Sequence, residues 1–449
     1  MKRRSFLRLV AASILCIAGC AGIAPRESSH PPILFVHGQG DTAASWMTTI
    51  WRFESNGWPR DRLFAFDMPF PTARSEDTKP QEGRSSAAEH TAQLAAEVAR
   101  VRRLTGAEKI VLVGHSRGGY AIRDYIRNGA GSATVSHAIL SGAPNHGVWI
   151  GDFLPTSEFN GAGPFLMALN RPQGPDGLEV TPGVAFMTIR SDNQDKWTQP
   201  AGSWIGQPKL QTNASHDGPA LKGAENVVLP GADHRETALG RDAFAHTYRF
   251  ITGRPPARVD IVPEPAIVLN GKVNGSLGIN PTNLPVAGAA VEIFEVSPQT
   301  GERLGGPVHA QVAAADGMWG PFTAKPDAFY EFVIRADGYA ITHAYRSPFP
   351  RSSAIVHLRP GSLTAEDRRA TSVVSMVRFQ GYLSLGRDRM SLDGKNPPGI
   401  ESGVPGNTTS TLRLDEAAMR SLVVELNEER IVVKTWPARD NHLVRAVFH

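Results

Sequence analysis

The stretch that most constrains this chain is Lys109-Ile-Val-Leu-Val-Gly-His-Ser-Arg-Gly-Gly119. Residues 110–113 form a short β-branched run of the kind buried on both faces in the middle of a sheet. Gly114-His115-Ser116-Arg117-Gly118 ends that run abruptly, and a helical pattern resumes at Gly118. A strand that turns so sharply into a helix leaves no room for a Cβ on either side of the turn, which is what Gly114 and Gly118 supply. Such an elbow holds Ser116 on a strained backbone with its hydroxyl presented, as a nucleophilic serine requires. A pentapeptide of this kind also arises by chance, so the surrounding sequence has to decide.

From residue 31 to about 253, short apolar runs alternate with helical patterns, the signature of a mostly parallel sheet covered by helices. Strands are expected at 33–36, 63–66, 110–113, 137–140, 185–189 and 226–229. Helices are expected at 42–56, 86–104, 118–128 and 236–251, with Leu94, Val98, Val101 and Leu104 on one stripe of the second. Two insertions, 70–84 and 151–182, exceed ordinary loop length and read as lid or cap elements or, for the first, equally as a plain surface loop. The second contains a short helical pattern at 164–170 with Phe165, Leu166 and Leu169.

Arg254-Pro255-Pro256-Ala257 and Pro263-Glu264-Pro265 mark a boundary, because closely spaced prolines end a helix and stiffen a linker. Beyond it Tyr330, Phe332 and Ile334 alternate with Glu331 and Arg335, and 422–426 and 431–436 flank a turn as a hairpin. The expected fold class is therefore α/β: a mostly parallel sheet flanked by helices over 30–255, followed by an all-β, sandwich-like C-terminal region. That region divides into one β-sandwich module at 260–360 and a second β module at 371–449, with 364–370 between them.

The formal net charge of +4 is owed entirely to Lys2, Arg3, Arg4 and Arg8; without them 43 basic residues balance 43 acidic ones. A neutral body argues against a nucleic-acid partner. Those same residues form the charged start of an export signal over 1–19, followed by a short apolar core. Arg3-Arg4-Ser5-Phe6-Leu7 resembles a twin-arginine signal. Ile17-Ala18-Gly19-Cys20 resembles a bacterial lipobox, which implies a lipidated Cys20 and a membrane anchor; the other reading is a plain signal cut after Ala21 or Ala24. Cys16 and Cys20 are the only cysteines, so the body of the chain has no disulfide and depends on packing for stability.

A serine hydroxyl needs a base, and the base needs an acid that fixes its tautomer. The strand–elbow–helix unit resembles that of α/β-hydrolases, in which the acid and then the histidine follow the serine on loops after later strands. His137, His146, His216 and His246 do not fit that placement; His234, in Asn226-Val-Val-Leu-Pro-Gly-Ala-Asp-His234, follows the last expected strand. Both Asp192 and Asp195 lie on the loop after 185–189, and Asp195-Lys-Trp-Thr-Gln-Pro200 resembles the Asp-x-Val-Val-x-Pro segment of many lipases. Asp195 is favoured as the acid, with Asp192 shaping the loop. Asp233 ranks third, because adjacent side chains rarely converge. For the oxyanion, one donor is expected from the backbone N–H of Arg117 at a helix N-terminus. The other is expected from the N–H of Gln39, after His37-Gly38, the oxyanion signature of lipases and esterases.

Together with Ser141-Gly-Ala-Pro-Asn-His-Gly147, these motifs resemble the α/β-hydrolase lipase/esterase family. Asp217-Gly-Pro-Ala-Leu-Lys-Gly-Ala-Glu-Asn-Val-Val228 is similar to the approach to the histidine in small Bacillus-type lipases. Val259-Asp-Ile-Val-Pro263, Ala344-Tyr-Arg-Ser-Pro-Phe349 and the final hairpin are similar to the C-terminal β-domain of the long-chain lipase of Archaeoglobus. That relative places its acid where this chain has Ser141, and it carries a long helical lid where this chain has the shorter polar insertion 70–84. Interfacial activation is therefore not implied.

The expected activity is that of an exported or envelope-anchored serine carboxylic ester hydrolase acting on an ester or lipid, with Ser116, His234 and Asp195 as triad. No cofactor and no metal are expected, since no His, Asp or Glu pair has zinc spacing. Two alternatives stand beside it. One is a polyester depolymerase, acyltransferase or amidase with the same triad; the other is a non-catalytic envelope binding protein.

Overall fold

A computed structural model describes residues 30–416 and 419–449. The leader, with its twin-arginine and Cys20 features, lies outside the described residues. Among the described residues no helix is long and apolar enough to cross a membrane.

Six parallel strands form the first sheet: β1 (Ile33–Val36), β2 (Leu63–Phe66), β3 (Ile110–His115), β4 (Val135–Ser141), β5 (Ala185–Ser191) and β6 (Glu225–Leu229). Their order is β2-β1-β3-β4-β5-β6. Period-two alternation sends Leu34, Val36, Ile110 and Leu112 to one core and Ile33, Phe35, Val111 and Val113 to the other. Helices α2 (Ala87–Thr105) and α3 (Arg117–Asn128) cover the first face, while α1 (Met47–Ser55) and α5 (Arg241–Thr252) cover the second; α4 (Pro164–Leu169) lies between them in the chain. Both faces being covered is why β3 is buried along its whole length and reads as a continuous apolar run.

Local chemistry sets the helix ends. Ser86 and Glu89 close a reciprocal capping box at the start of α2, and Gly106 ends that helix with φ 70°. The helix expected over 236–251 is instead two pieces, Glu236–Leu239 and α5. Gly240 is extended between them, and a Cβ there would stand 2.7 Å from the Glu236 carbonyl, so one continuous helix is replaced by a corner.

The C-terminal region departs from expectation in its division. One seven-stranded sheet runs in the order His309–Val312, Ala290–Val296, Phe329–Arg335, Ile341–Arg346, His442–Phe448, Ser372–Arg378, Thr409–Leu414. The segments 260–360 and 371–449 are therefore not two modules. Strand His442–Phe448 lies between strands of both, paired in parallel with Ile341–Arg346 and with Ser372–Arg378. A smaller sheet of Met390–Leu392, Ser421–Leu426 and Glu429–Lys434 packs on one face through Val333, Val374, Met376, Val444 and Ala446, giving a sandwich-like core.

The β-region also shares a core with the first domain. Met47 and Trp51 of α1 pack among Trp319, Phe332 and Phe349, and the Trp51 indole donates to Ser352 O at 2.8 Å. Burying an indole in the neighbouring domain makes the two halves one packing unit at this seam.

Candidate active site

At the end of β3 the chain turns through Ser116, whose φ of 52° and ψ of −121° lie in a region that non-glycine residues rarely occupy. Such a conformation costs about 1–3 kcal/mol and persists only where neighbours enforce it. Here the Ser116 N–H donates to Ser141 O at 2.8 Å, and the Gly119 N–H returns to Ser116 O at 2.9 Å. The glycines allow the close contacts. A Cβ on Gly118 would stand 2.6 Å from Val36 O, and one on Gly114 would stand 2.6 Å from Ile122 Cδ1. Gly38 fills the same need from the facing loop, because its Cβ would lie 2.9 Å from His115 Nδ1 and 3.0 Å from Ser116 Cβ.

That facing loop is fixed by His37. The Met68 N–H donates to His37 Nε2 at 3.0 Å, which leaves the ring proton on Nδ1, 2.9 Å from Gly38 O. Burial lowers the His37 pKa and keeps the ring neutral. Gln39 contributes its side chain as an anchor: its Oε1 accepts from the Ala73 N–H at 2.8 Å, tying the 70–84 insertion to the loop.

Arg117 follows Ser116 as the first residue of α3, so its N–H has no acceptor within the helix. Its side chain does something the sequence does not announce. It is buried in a two-point bond to Glu158, at 2.6 and 2.9 Å, and also donates to Pro71 O, Ser85 Oγ and Ser85 O. One guanidinium thus ties both insertions to the elbow. They also bond each other through Asp77 N–H to Thr156 O at 3.2 Å. These contacts make the insertions a built wall at this seam.

Asp195 and His234 meet. His234 Nδ1 lies 2.7 Å from Asp195 Oδ2, and both side chains are buried. The other oxygen, Asp195 Oδ1, accepts from the Trp197 N–H at 2.8 Å, which fixes the carboxylate plane. Asp192 points elsewhere: it accepts from the Gln194 and Gly231 N–H groups, joining the acid loop to the loop before His234. Asp233 accepts from the Arg235 and Glu236 N–H groups and so shapes the turn after the histidine. His115 stands 3.0 Å from His234 O through Nε2, and burial holds its pKa well below the usual histidine value, so it serves as a neutral brace. Among the other histidines, His146 bonds Glu179 and His137 packs on Phe250; neither lines the cavity at Ser116.

Ser116, His234 and Gln39 open onto one cavity of about 360 Å3. Its apolar wall comes from Val148, Trp149, Phe159, Trp197, Trp204 and Ile205. Asp41 and Arg235, joined by an ion pair, supply its charged edge. Lys196, beside Asp195, packs over the rings of Trp197 and Tyr382 and donates to Gly406 O at 2.8 Å. Burial, with Arg235 nearby, pulls Lys196 down to about 8.

Tyr382 is the most distant of the contributors that sequence reasoning missed. It lines the cavity from the C-terminal β-region, and its N–H donates to Asp233 Oδ2 at 2.6 Å. Arg387 bonds Asp233 and Glu236, and Arg378 bonds Glu236, so the β-region holds the turn that carries His234. No local pattern marks Tyr382, 187 positions beyond Asp195, as part of this cavity. The closest signal is Gly406, where a Cβ would stand 2.1 Å from the Trp204 ring.

Residues 30–149 match the family model described as lipase (class 2), and residues 266–363 match the lipase C-terminal domain. Among solved structures the chain is similar to a Bacillus licheniformis lipase in its propeptide form, with 14% identity over 90% of this chain and 92% of that one at a TM-score of 0.35. The mature form of that lipase aligns with 18% identity over 49% of this chain and 92% of that one, at 0.34. Aspergillus fumigatus lipase B aligns with 14% identity over 53% of this chain, at 0.35, and the alignment spans 56% of the fungal enzyme's length. The chain thus carries a match to a lipase family model in each half, residues 30–149 and 266–363, and the two together support a place in the lipase/esterase family of α/β-hydrolases.

Proposed function

We propose that Ser116, His234 and Asp195 form the catalytic triad of a serine carboxylic ester hydrolase. The observation that carries this reading is the 2.7 Å bond from His234 Nδ1 to Asp195 Oδ2, beside a strained Ser116 that opens onto the same cavity. His234 takes the Ser116 proton as Oγ attacks the acyl carbonyl, and Asp195 stabilises the imidazolium. The N–H groups of Gln39 and Arg117 receive the developing oxyanion, to which the N-terminus of α3 adds its dipole. His234 then protonates the leaving alcohol, and water, deprotonated by the same histidine, releases the acid from Ser116. The aromatic wall of Trp149, Phe159 and Trp204 suits the acyl chain of an ester or lipid substrate. Treatment with diethyl p-nitrophenyl phosphate is expected to release one p-nitrophenol per chain and leave a diethyl phosphate on the Ser116 peptide by mass spectrometry. Modification at another serine would move the nucleophile.

The same reading includes export and anchoring through Cys20, supported by Arg3-Arg4 and Ile17-Ala18-Gly19-Cys20. Mass spectrometry of the membrane fraction from an expressing bacterium is expected to give an N-terminal peptide that begins at an acylated Cys20. A soluble chain beginning after Ala21 or Ala24 would replace the anchor with a plain signal peptide.

A further inference from the structure

A second cavity of about 450 Å3 lies on the seven-stranded sheet, on the face opposite the small sheet. Alternation along the strands turns Arg346, Ser375, Thr411, Arg413 and Arg445 into it, beneath a loop that brings Leu358 and Arg359. Of its four arginines, Arg413 alone pairs with carboxylates. Arg413 bonds Asp367 at 2.8 Å and reaches Glu366 at 3.4 Å. Arg346 packs over Phe349, donates to His449 and feels the Glu429 charge.

Arg359 and Arg445, like Arg346, pair with no carboxylate among the described residues. Arg445 Nη1 donates to Arg359 O at 2.8 Å, while Arg359 Nη2 donates to Thr282 O and Asn283 Oδ1, both at 2.9 Å. Arg359 Nε is buried without any partner. The carboxylates that act on Arg359 from a distance, Asp41 and Asp67, are already held, one by Arg235 and the other by Lys272 and His357. Burial, with the like charge of Arg359, pulls Arg445 down to about 10. Asp367, the acid that lines this cavity, spends both oxygens on Arg413 and Thr364.

Two partly buried arginines that line one cavity without a paired carboxylate are costly unless an anion completes them. Their planar donor forks match a carboxylate. Ile334, Val373, Val377 and Leu443 add apolar surface to a lining otherwise rich in threonine and serine, and the volume lies in the range of small-molecule sites. We propose that this cavity binds an amphiphilic carboxylate, with its head group on Arg359 and Arg445 and its chain along Leu358, Val373 and Leu443. The site stands on the arginine pair and not on the chemistry at Ser116.

The test is calorimetric titration with decanoate, below its micelle concentration, of the full chain after its catalytic cavity has been blocked with diethyl p-nitrophenyl phosphate. Blocking is checked by mass, so a failure of the Ser116 reading appears at that step. It leaves the variant comparison intact, since all proteins titrated carry the same catalytic cavity. Decanoate is expected to bind one site in the wild type and at least tenfold more weakly in Arg445→Met. Ser375→Asp places a tethered carboxylate on the strand beside Arg445, in register with it, and is expected to weaken decanoate to the same degree. It tests the site even if Arg445→Met unfolds. Decanol is expected to show no dependence on Arg445. Absence of binding to the wild type, or equal affinity in the wild type and the folded variants, would overturn the proposal. Inorganic phosphate binding as tightly as decanoate would overturn the amphiphile assignment.

Discussion

Ser116→Ala is expected to lower kcat for p-nitrophenyl ester hydrolysis by about a millionfold, the scale found in serine hydrolases that lose this group. The chain should fold as before. The elbow is held by the Ser116 backbone N–H on Ser141 O and by contacts at Gly38, Gly114 and Gly118 that need no hydroxyl. Alanine keeps the Cβ and therefore the strain at φ 52°, so the melting temperature should move little. Some acceleration over water should survive, because the oxyanion donors and the cavity remain. Rates are to be compared on a short and a long ester with thermal unfolding alongside. Wild-type turnover by a folded Ser116→Ala protein would sink the elbow reading.

The second large effect separates two aspartates three residues apart. Asp195→Asn should reduce kcat by about ten-thousand-fold, because an amide cannot both stabilise an imidazolium and hold Nδ1 as donor. The neighbouring geometry should survive, since an Asn oxygen can still accept from the Trp197 N–H now bonded to Oδ1. Asp192→Asn should cost less than about tenfold, because its two backbone bonds shape a loop and an Asn carbonyl can keep one of them. KM should stay within a few-fold in both, since neither residue is among those lining the wall of rings opposite Ser116. The reverse ranking would reassign the acid.

Legibility in the sequence followed the distance over which each feature is determined. The strand and elbow around Ser116 were readable because both depend on neighbours in the chain: apolar residues for a strand covered on both sides, glycines where a Cβ would strike the sheet. The extent of α2 was nearly so, through its apolar stripe of Leu94, Val98 and Val101. Chain order on a parallel sheet singled out His234 and left Asp192 and Asp195 both eligible; resemblance to a lipase segment favoured Asp195, whose carboxylate lies on His234. What failed needed partners far away. Residues 236–251 carry a fair helical pattern, yet the corner at Gly240 answers to the Glu236 carbonyl and the sheet beneath. Polar residues at 364–370 looked like a boundary, but strand pairing carries straight past them. Arg117 showed its backbone role in the motif and hid its side chain, whose partner Glu158 lies in an insertion ahead of its short helical pattern. Tyr382 was invisible for the same reason.

The parallel strand His442–Phe448 has a consequence for how the molecule is made. Both of its partners, Ile341–Arg346 and Ser372–Arg378, precede it by many tens of residues. Until it arrives, each presents a row of open amides and carbonyls to any strand nearby. Pairing over such separations must close large loops before it is rewarded, which places the β-region among slow-folding topologies. The turn of His234 leans on Asp233 contacts from Tyr382 and Arg387, residues that sit between those partners and the late strand. The turn that carries His234 is thus completed by residues from the part of the chain whose sheet needs the largest loops to close.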